Sequence, residues 1–241
     1  MQRRYFHEPR FSELKTITET TIHSRHVAGQ RYESLRLERV NFDNCSATRC
    51  TFKQVEALAC RLWSCTLHEP TLEDLLIRDV RMTVDGGPGK RDPFFIWGGV
   101  AKHVRLVGTI GGLIWNQPYR WLTSGRDRGA LNAVRRYYAS VDWALDVTQA
   151  EFQSGPALRF GPPGQLIRRD PVTQPLVTRH RALAIGWKSL GKEIGAWRGV
   201  LDDLITNDWP DSVVLIPAGR GRALREDLEG IERLRSIGVA E

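Results

Sequence analysis

Between Leu35 and Val80 apolar residues recur at every fifth position, a period that neither an α-helix nor a β-strand can carry over such a length. Counted from Leu37, the row reads Leu37, Phe42, Ala47, Phe52, Ala57, Leu62, Leu67, Leu72 and Ile77, nine apolar positions out of nine. At the chain's 41% apolar content, chance fills such a row about once in several thousand trials. A second row lies two residues ahead of the first: Leu35, Val40, Cys45, Cys50, Val55, Cys60, Cys65, Pro70, Leu75 and Val80, interrupted at Pro70 alone. The three remaining rows are polar apart from Leu58, Ala59, Trp63 and Leu76.

Something must turn the chain at each fifth residue. A coil of square cross-section does so: every side points two residues inward and three outward, and four sides close one turn. Successive turns then stack at the inter-strand spacing of roughly 4.8 Å, with backbone hydrogen bonds along the axis. Each turn buries its apolar rows only against its neighbours, as in any solenoid.

Residues 35–82 thus resemble the pentapeptide-repeat family. Leu37, Phe42, Phe52, Leu62, Leu67 and Leu72 match the family's central Leu or Phe, and Val40, Cys45, Cys50, Val55, Cys60 and Cys65 match its small inward residue two places earlier. The family commonly has Asp or Asn before the centre, and here only Asn41 conforms, so the chain resembles a divergent member. The resemblance implies a right-handed quadrilateral β-helix, a scaffold with many uses. Two binding roles come with it: neutralising a protein, as a bacterial immunity protein does its toxin, or shielding a DNA topoisomerase by imitating DNA. Mimicry needs a strongly acidic helix, whereas residues 1–100 carry a net charge of +2.

Upstream, Ile17, Ile22, Val27 and Tyr32 keep the central register while Thr20, Arg25 and Gln30 lose the second row, which predicts a degenerate opening coil. Downstream, Val84 to Asp92 is a Gly-rich, turn-forming insertion. Val104 and Leu106 then restore the inward pairing, and Ile110, Leu113, Ile114 and Trp115 supply a closing turn that ends near Asn116. The fold class is therefore mixed: a β-helix over residues 1–116, then a small α/β or α+β domain over 117–241. The unpaired strand edges at the end of the stack need a cover, and that domain is the candidate.

In the second half, Ser124 with Asp127 resembles a helix start, followed by Leu131, Val134, Tyr138 and Val141 at helical spacing. A half-buried strand follows from Val141 to Val147. Gln165–Arg168 and Gln174–Thr178 read as a hairpin around Asp170 and Pro171. Residues 179–190 and 195–207 read as helices, Val213–Ile216 as a buried strand, and a last helix carries Leu224, Leu228, Ile231 and Leu234.

Four cysteines without a CxxC spacing give no support for a zinc site, and on the inward row they are expected to be reduced core residues. The six histidines His7, His23, His26, His68, His103 and His180 form no HExxH, and no GxSxG is present. Asp142 and Asp146 would stand about 13 Å apart on an extended strand, too far for a glycosidase pair. Asp202 and Asp203 read as the solvated face of a helix. The expectation is no catalytic set, no metal and no cofactor.

Three candidate surfaces remain. Trp63 and Leu58 point outward from the predicted coil, where an exposed aromatic on a rigid wall anchors a partner unless the second half covers it. Residues 101–200 carry a net +9, with Arg126, Arg128, Arg135, Arg136, Arg168 and Arg169 as phosphate contacts if the chain binds nucleic acid. The Gly-rich junction that includes Gly219, Arg220, Gly221 and Arg222 lies between a strand and a helix, where backbone amides hold anions, although it lacks the Lys-Ser/Thr of a P-loop.

The longest apolar stretches, such as Phe94–Trp97 and Val213–Ile216, fall far short of the roughly 18–20 residues of a membrane helix. Met1–Leu14 scatters charges with no apolar run, so a cytoplasmic location is expected. The reading is a non-catalytic scaffold that binds a protein, of the immunity or inhibitor type, with no membrane contact. A nucleic-acid binder is the alternative, and an enzyme with its site at the domain junction is a third.

Overall fold

The chain turns at every fifth residue through a left-handed backbone step. In the computed structural model, which describes residues 14–83, 94–116, 118, 128–154, 158, 161–207 and 209–241, the corners are regular. Glu19, Ser24, Ser34, Arg39, Asn44, Arg49, Gln54, Ala59, Ser64, Glu69, Asp74 and Asp79 all have φ between 49° and 55°, and Gly29 at 65° completes the series. Side chains other than Gly pay roughly 1–2 kcal/mol for this conformation. The stack offsets that cost, since corner amides are hydrogen-bonded to the next coil: Arg39 to the Leu58 carbonyl, Asn44 to Trp63 and Ala59 to Arg78, each at 2.9 Å.

Between corners the chain is extended, and its strands stack in parallel into a β-solenoid of about 6 turns spanning residues 15–168. One wall holds β1 (Lys15–Thr18), β4 (Arg31–Glu38), β7 (Thr51–Leu58) and β10 (Thr71–Arg78). The last three strands of this wall run through a corner at Ser34, Gln54 and Asp74, so one sheet covers two adjacent sides. A second wall holds β2 (Thr21–His23), β5 (Asn41–Asp43), β8 (Arg61–Trp63) and β11 (Arg81–Thr83). The third holds β3 (His26–Ala28), β6 (Ser46–Thr48), β9 (Thr66–His68), β12 (Phe94–Trp97) and β14 (Leu113–Asn116).

The register repeats every 20 residues, as in Leu35 opposite Val55 and Val55 opposite Leu75. Both apolar rows face inward as expected. Val40, Cys50, Val55, Cys60 and Cys65 are buried, and Leu37, Phe42, Phe52, Leu62 and Leu67 pack against them. The opening coil keeps the same register, with Ile17 over Leu37 and Ile22 over Phe42, while Arg25 and Gln30 are exposed.

Between β10 and β13 (Val100–Ile110) the register step lengthens to 29, with Thr71 opposite Val100. The extra residues fall between β11 and β12, where the sequence predicts an insertion; Val84 to Asp92 lies outside the described residues. Above β11 the chain crosses as Gly111, whose amide bonds to the Val80 carbonyl at 3.0 Å. A Cβ here would lie 2.4 Å from the Met82 nitrogen, so the backbone approach needs glycine.

The stack does not end near Asn116. β15 (Leu145–Phe152) lies parallel on β13, and β16 (Ile167–Arg168) lies on β15. The predicted strand from Val141 is thus displaced toward the C-terminus. The predicted hairpin is also corrected: Ile167–Arg168 joins the solenoid, while β17 (Leu176–Thr178) pairs antiparallel with β18 (Ser212–Val214). The turn itself forms, through a bond from the Gln174 amide to the Asp170 carbonyl at 2.8 Å.

Helix α1 (Arg128–Tyr138) covers the part of β13 that β15 leaves unpaired, and the Ala101 amide donates to the Tyr138 hydroxyl at 3.0 Å. Its predicted start at Ser124 and Asp127 lies outside the described residues. The C-terminal region caps the core through alternation. Leu176, Val214 and Ile216 face the solenoid core. Val177, Val213 and Leu215 face a second core with α2 (Arg179–Ala184), the 3-10 segment Trp187–Ile194, α3 (Trp197–Thr206) and α4 (Arg222–Ser236). The continuous helix predicted from residue 179 breaks after Ala184.

Candidate functional site

Outside the solenoid, residues at equivalent positions form ladders along the axis. On the first wall these ladders alternate in charge: Glu33, Lys53, Glu73 and Lys102 follow one another, as do Arg105, Asp146 and Arg168. Arg36 stands opposite Glu56 with 3.3 Å between charged atoms. Directly opposed unlike charges stabilise a sheet and like charges destabilise it.

The second wall departs from this rule. Arg81 stands opposite Arg61, and among the described strand registers this is the one place where two like charges occupy adjacent rungs. Both arginines are exposed. On the same strand as Arg61 is Trp63, which is 49% exposed. The C-terminal region therefore does not cover it. Its rung neighbours are Asp43 and Thr83, and Asp43 is hydrogen-bonded to His23 at 2.9 Å. Leu58, the other outward apolar residue, is half-buried.

The basic segment divides. Arg126 lies outside the described residues. Arg168 stacks on the Trp143 ring at 4.2 Å, and Arg169 bonds to Glu241 at 2.9 Å and to the Gln174 carbonyl at 3.2 Å. Arg128 and Arg135 line a cleft of about 230 Å³ together with Leu131, Asn132, Arg179 and Asp211, and Arg136 does not. Arg179 and Asp211 reach α1 from beyond β17 and before β18, distant in sequence from it.

The glycine-rich junction is partly satisfied from within the chain, and no side chain caps the start of α4. The Ala218 amide donates to the Asp227 carboxylate at 3.1 Å, the Gly219 amide donates to the Phe152 carbonyl at 2.9 Å, and Arg222 pairs with Glu226 at 2.6 Å. Burial holds the Asp227 carboxyl above its usual range. Arg220 is exposed, and Gly221 precedes α4 with φ at 61°. The chain's own carboxylate thus takes an amide that the sequence offers to an anion.

His103 joins two carboxylates from different parts of the stack. It sits in a left-handed corner with φ at 55°, one rung above the corner residue Asp74. Its Nδ1 lies 3.0 Å from Asp74, its Nε2 lies 2.7 Å from Asp142, and its ring packs on Trp143 at 4.7 Å. The carboxylates face opposite ring nitrogens, Asp74 from β10 and Asp142 from the segment just before β15. Asp142 and Asp146 hence serve separate contacts, the second with Arg105 at 3.9 Å.

All four cysteines are free thiols, and burial raises the Cys65 thiol to about 11. Each sulfur faces carbonyls of its own and the preceding coil, as Cys65 does Trp63 and Phe42 at 3.2 and 3.5 Å. Asp203 is half-buried, less solvated than predicted. Among the described residues no helix is long and apolar enough to cross a membrane. Comparison with protein-family models, curated proteins and solved structures finds no match.

Proposed function

We propose that this chain is a divergent pentapeptide-repeat protein acting as a binding scaffold of the immunity or inhibitor type, which holds a protein partner on the wall formed by Arg61, Trp63 and Arg81. The observation that carries this reading is the exposed Trp63 ring beside two stacked arginines. Rigid aromatics and arginines dominate the energetics of protein interfaces. A partner whose carboxylates meet Arg61 and Arg81 while an apolar pocket takes the indole relieves the like-charge contact and buries the ring in one step.

The test is affinity capture from the source cells by the wild-type chain and by Trp63→Ala, Arg61→Ala and Lys53→Ala, each checked by thermal melting. The reading predicts a protein retained by wild type and Lys53→Ala and lost from the Trp63 and Arg61 variants. Identical retention by all four chains contradicts it.

A further inference from the structure

We propose that the partner held by the Trp63 wall presents an acidic α-helix, laid along the solenoid axis with two carboxylates one turn apart. The inference rests on the reading of this wall as the docking surface and names the chemistry that fits it. Arg61 and Arg81 are exposed, stand on adjacent rungs, and their guanidiniums make no hydrogen bond or ion pair among the described residues. Elsewhere on the solenoid Arg31 meets Glu33, Arg36 meets Glu56 and Arg39 meets Glu19. Two opposed like charges weaken a sheet, so this pair lowers the stability of the free protein and is relieved by an anion from outside.

Spacing selects the scaffold that carries the anion. The two arginines rise from strands about 4.8 Å apart along the axis. Carboxylates at i and i+4 of a helix lie on one face with a rise of about 6 Å, a gap that two flexible arginine side chains span. Trp63 lies two residues along β8 from Arg61, about 6.6 Å to the side. A helix about 10–12 Å across therefore covers both columns at once, and an apolar residue at i+3, flanking the carboxylates, meets the indole.

The wall itself disfavours the other scaffolds. β8 is hydrogen-bonded to β5 on one side and to β11 on the other, so no strand edge is open here and the partner meets side chains alone. A helix satisfies its own backbone, which an added strand would leave unpaired against this surface. A nucleic-acid strand needs a longer track of cations. Below Arg61 the column continues as Asn41 and Thr21, and Asp43 stands beneath the indole, where it repels a phosphate.

The experiment is titration of the full chain, followed by NMR at the Trp63 indole N–H, with two alanine-rich helical peptides of about 20 residues and equal composition. One carries Glu at i and i+4 with Leu at i+3; the other carries Glu at i and i+2, on opposite faces. The first is expected to bind about fivefold more tightly, the worth of one well-formed exposed ion pair. Arg81→Glu, which sets a carboxylate opposite Arg61, should raise the melting temperature and remove the preference, so that a lost preference is not a lost fold. No binding of either peptide, equal binding of both, a preference unchanged in Arg81→Glu, or tighter binding of a single-stranded oligonucleotide at the same resonance overturns the proposal. If affinity capture still depends on Trp63 and Arg61 while the peptides are not distinguished, the helix fails and the wall stands; loss of both dependences removes both.

Discussion

His103 Nε2 lies 2.7 Å from Asp142 Oδ1, across the joint where β15 is laid on the solenoid. The same ring holds Asp74 one rung below, so it ties three consecutive layers of the stack together. Replacing His103 by Ala removes both bonds and the packing on Trp143, at an expected cost of about 1 kcal/mol given the partial exposure of the cluster. The His103 bond holds the Asp142 carboxyl below its usual range. A lowered folded value stabilises above the unfolded value of about 3.9 and is lost as the pH falls through the folded one. Urea melts at pH 5 and pH 2 should therefore show a larger loss for wild type than for His103→Ala. Equal losses refute the coupling.

Gly111→Ala should be among the most damaging single substitutions outside the inward rows. The added methyl meets the Met82 backbone at 2.4 Å, where no flexible side chain can give way. Lifting β13 away from β11 is expected to cost about 2 kcal/mol or more, read as a lowered urea midpoint at unchanged slope.

Thiol chemistry should follow burial. Cys50, Cys60 and Cys65 are buried and Cys45 half-buried, and burial pushes the Cys60 and Cys65 thiols up. Iodoacetamide at pH 8, followed by mass spectrometry, should label Cys45 first in the native protein and all four alike in urea. Equal native labelling would place the second row outside the core.

The two inward rows are legible in the sequence because a period of five leaves a direct trace in apolarity, from Leu37 to Ile77. The corners are not. Arg39, Gln54, Ala59 and Glu69 adopt a backbone conformation that local preference reserves for Gly and Asn, and tertiary hydrogen bonding overrides that preference. The continuation into β15 is hidden because the five-residue step returns only briefly, at Leu145 with Val147 and Ala150 with Phe152, after a long break from Asn116, and the register slips between Arg105 and Val107. Ile167–Arg168 and Leu176–Thr178 flank a genuine turn, yet their partners come from distant parts of the chain. For the candidate sites, Trp63 follows from the five-residue spacing, and Arg128 and Arg135 follow from the charge of their segment. Arg179, Asp211 and the His103 cluster depend on folding over long sequence separations.

The wall that presents Trp63 exists only if the chain turns left-handed at each fifth residue, and two alanines on one strand end test this. Ala59 occupies a corner with φ at 52°, whereas Ala57 lies in β7 and packs on the core. Glycine relieves strain at the first position and adds unfolded-state entropy at the second. Paired urea titrations of Ala59→Gly and Ala57→Gly measure the difference. The account predicts that Ala59→Gly is about 0.5 kcal/mol more stable than wild type and Ala57→Gly about 1 kcal/mol less. Equal destabilisation by both glycines would contradict the cornered solenoid and, with it, the surface proposed for the partner.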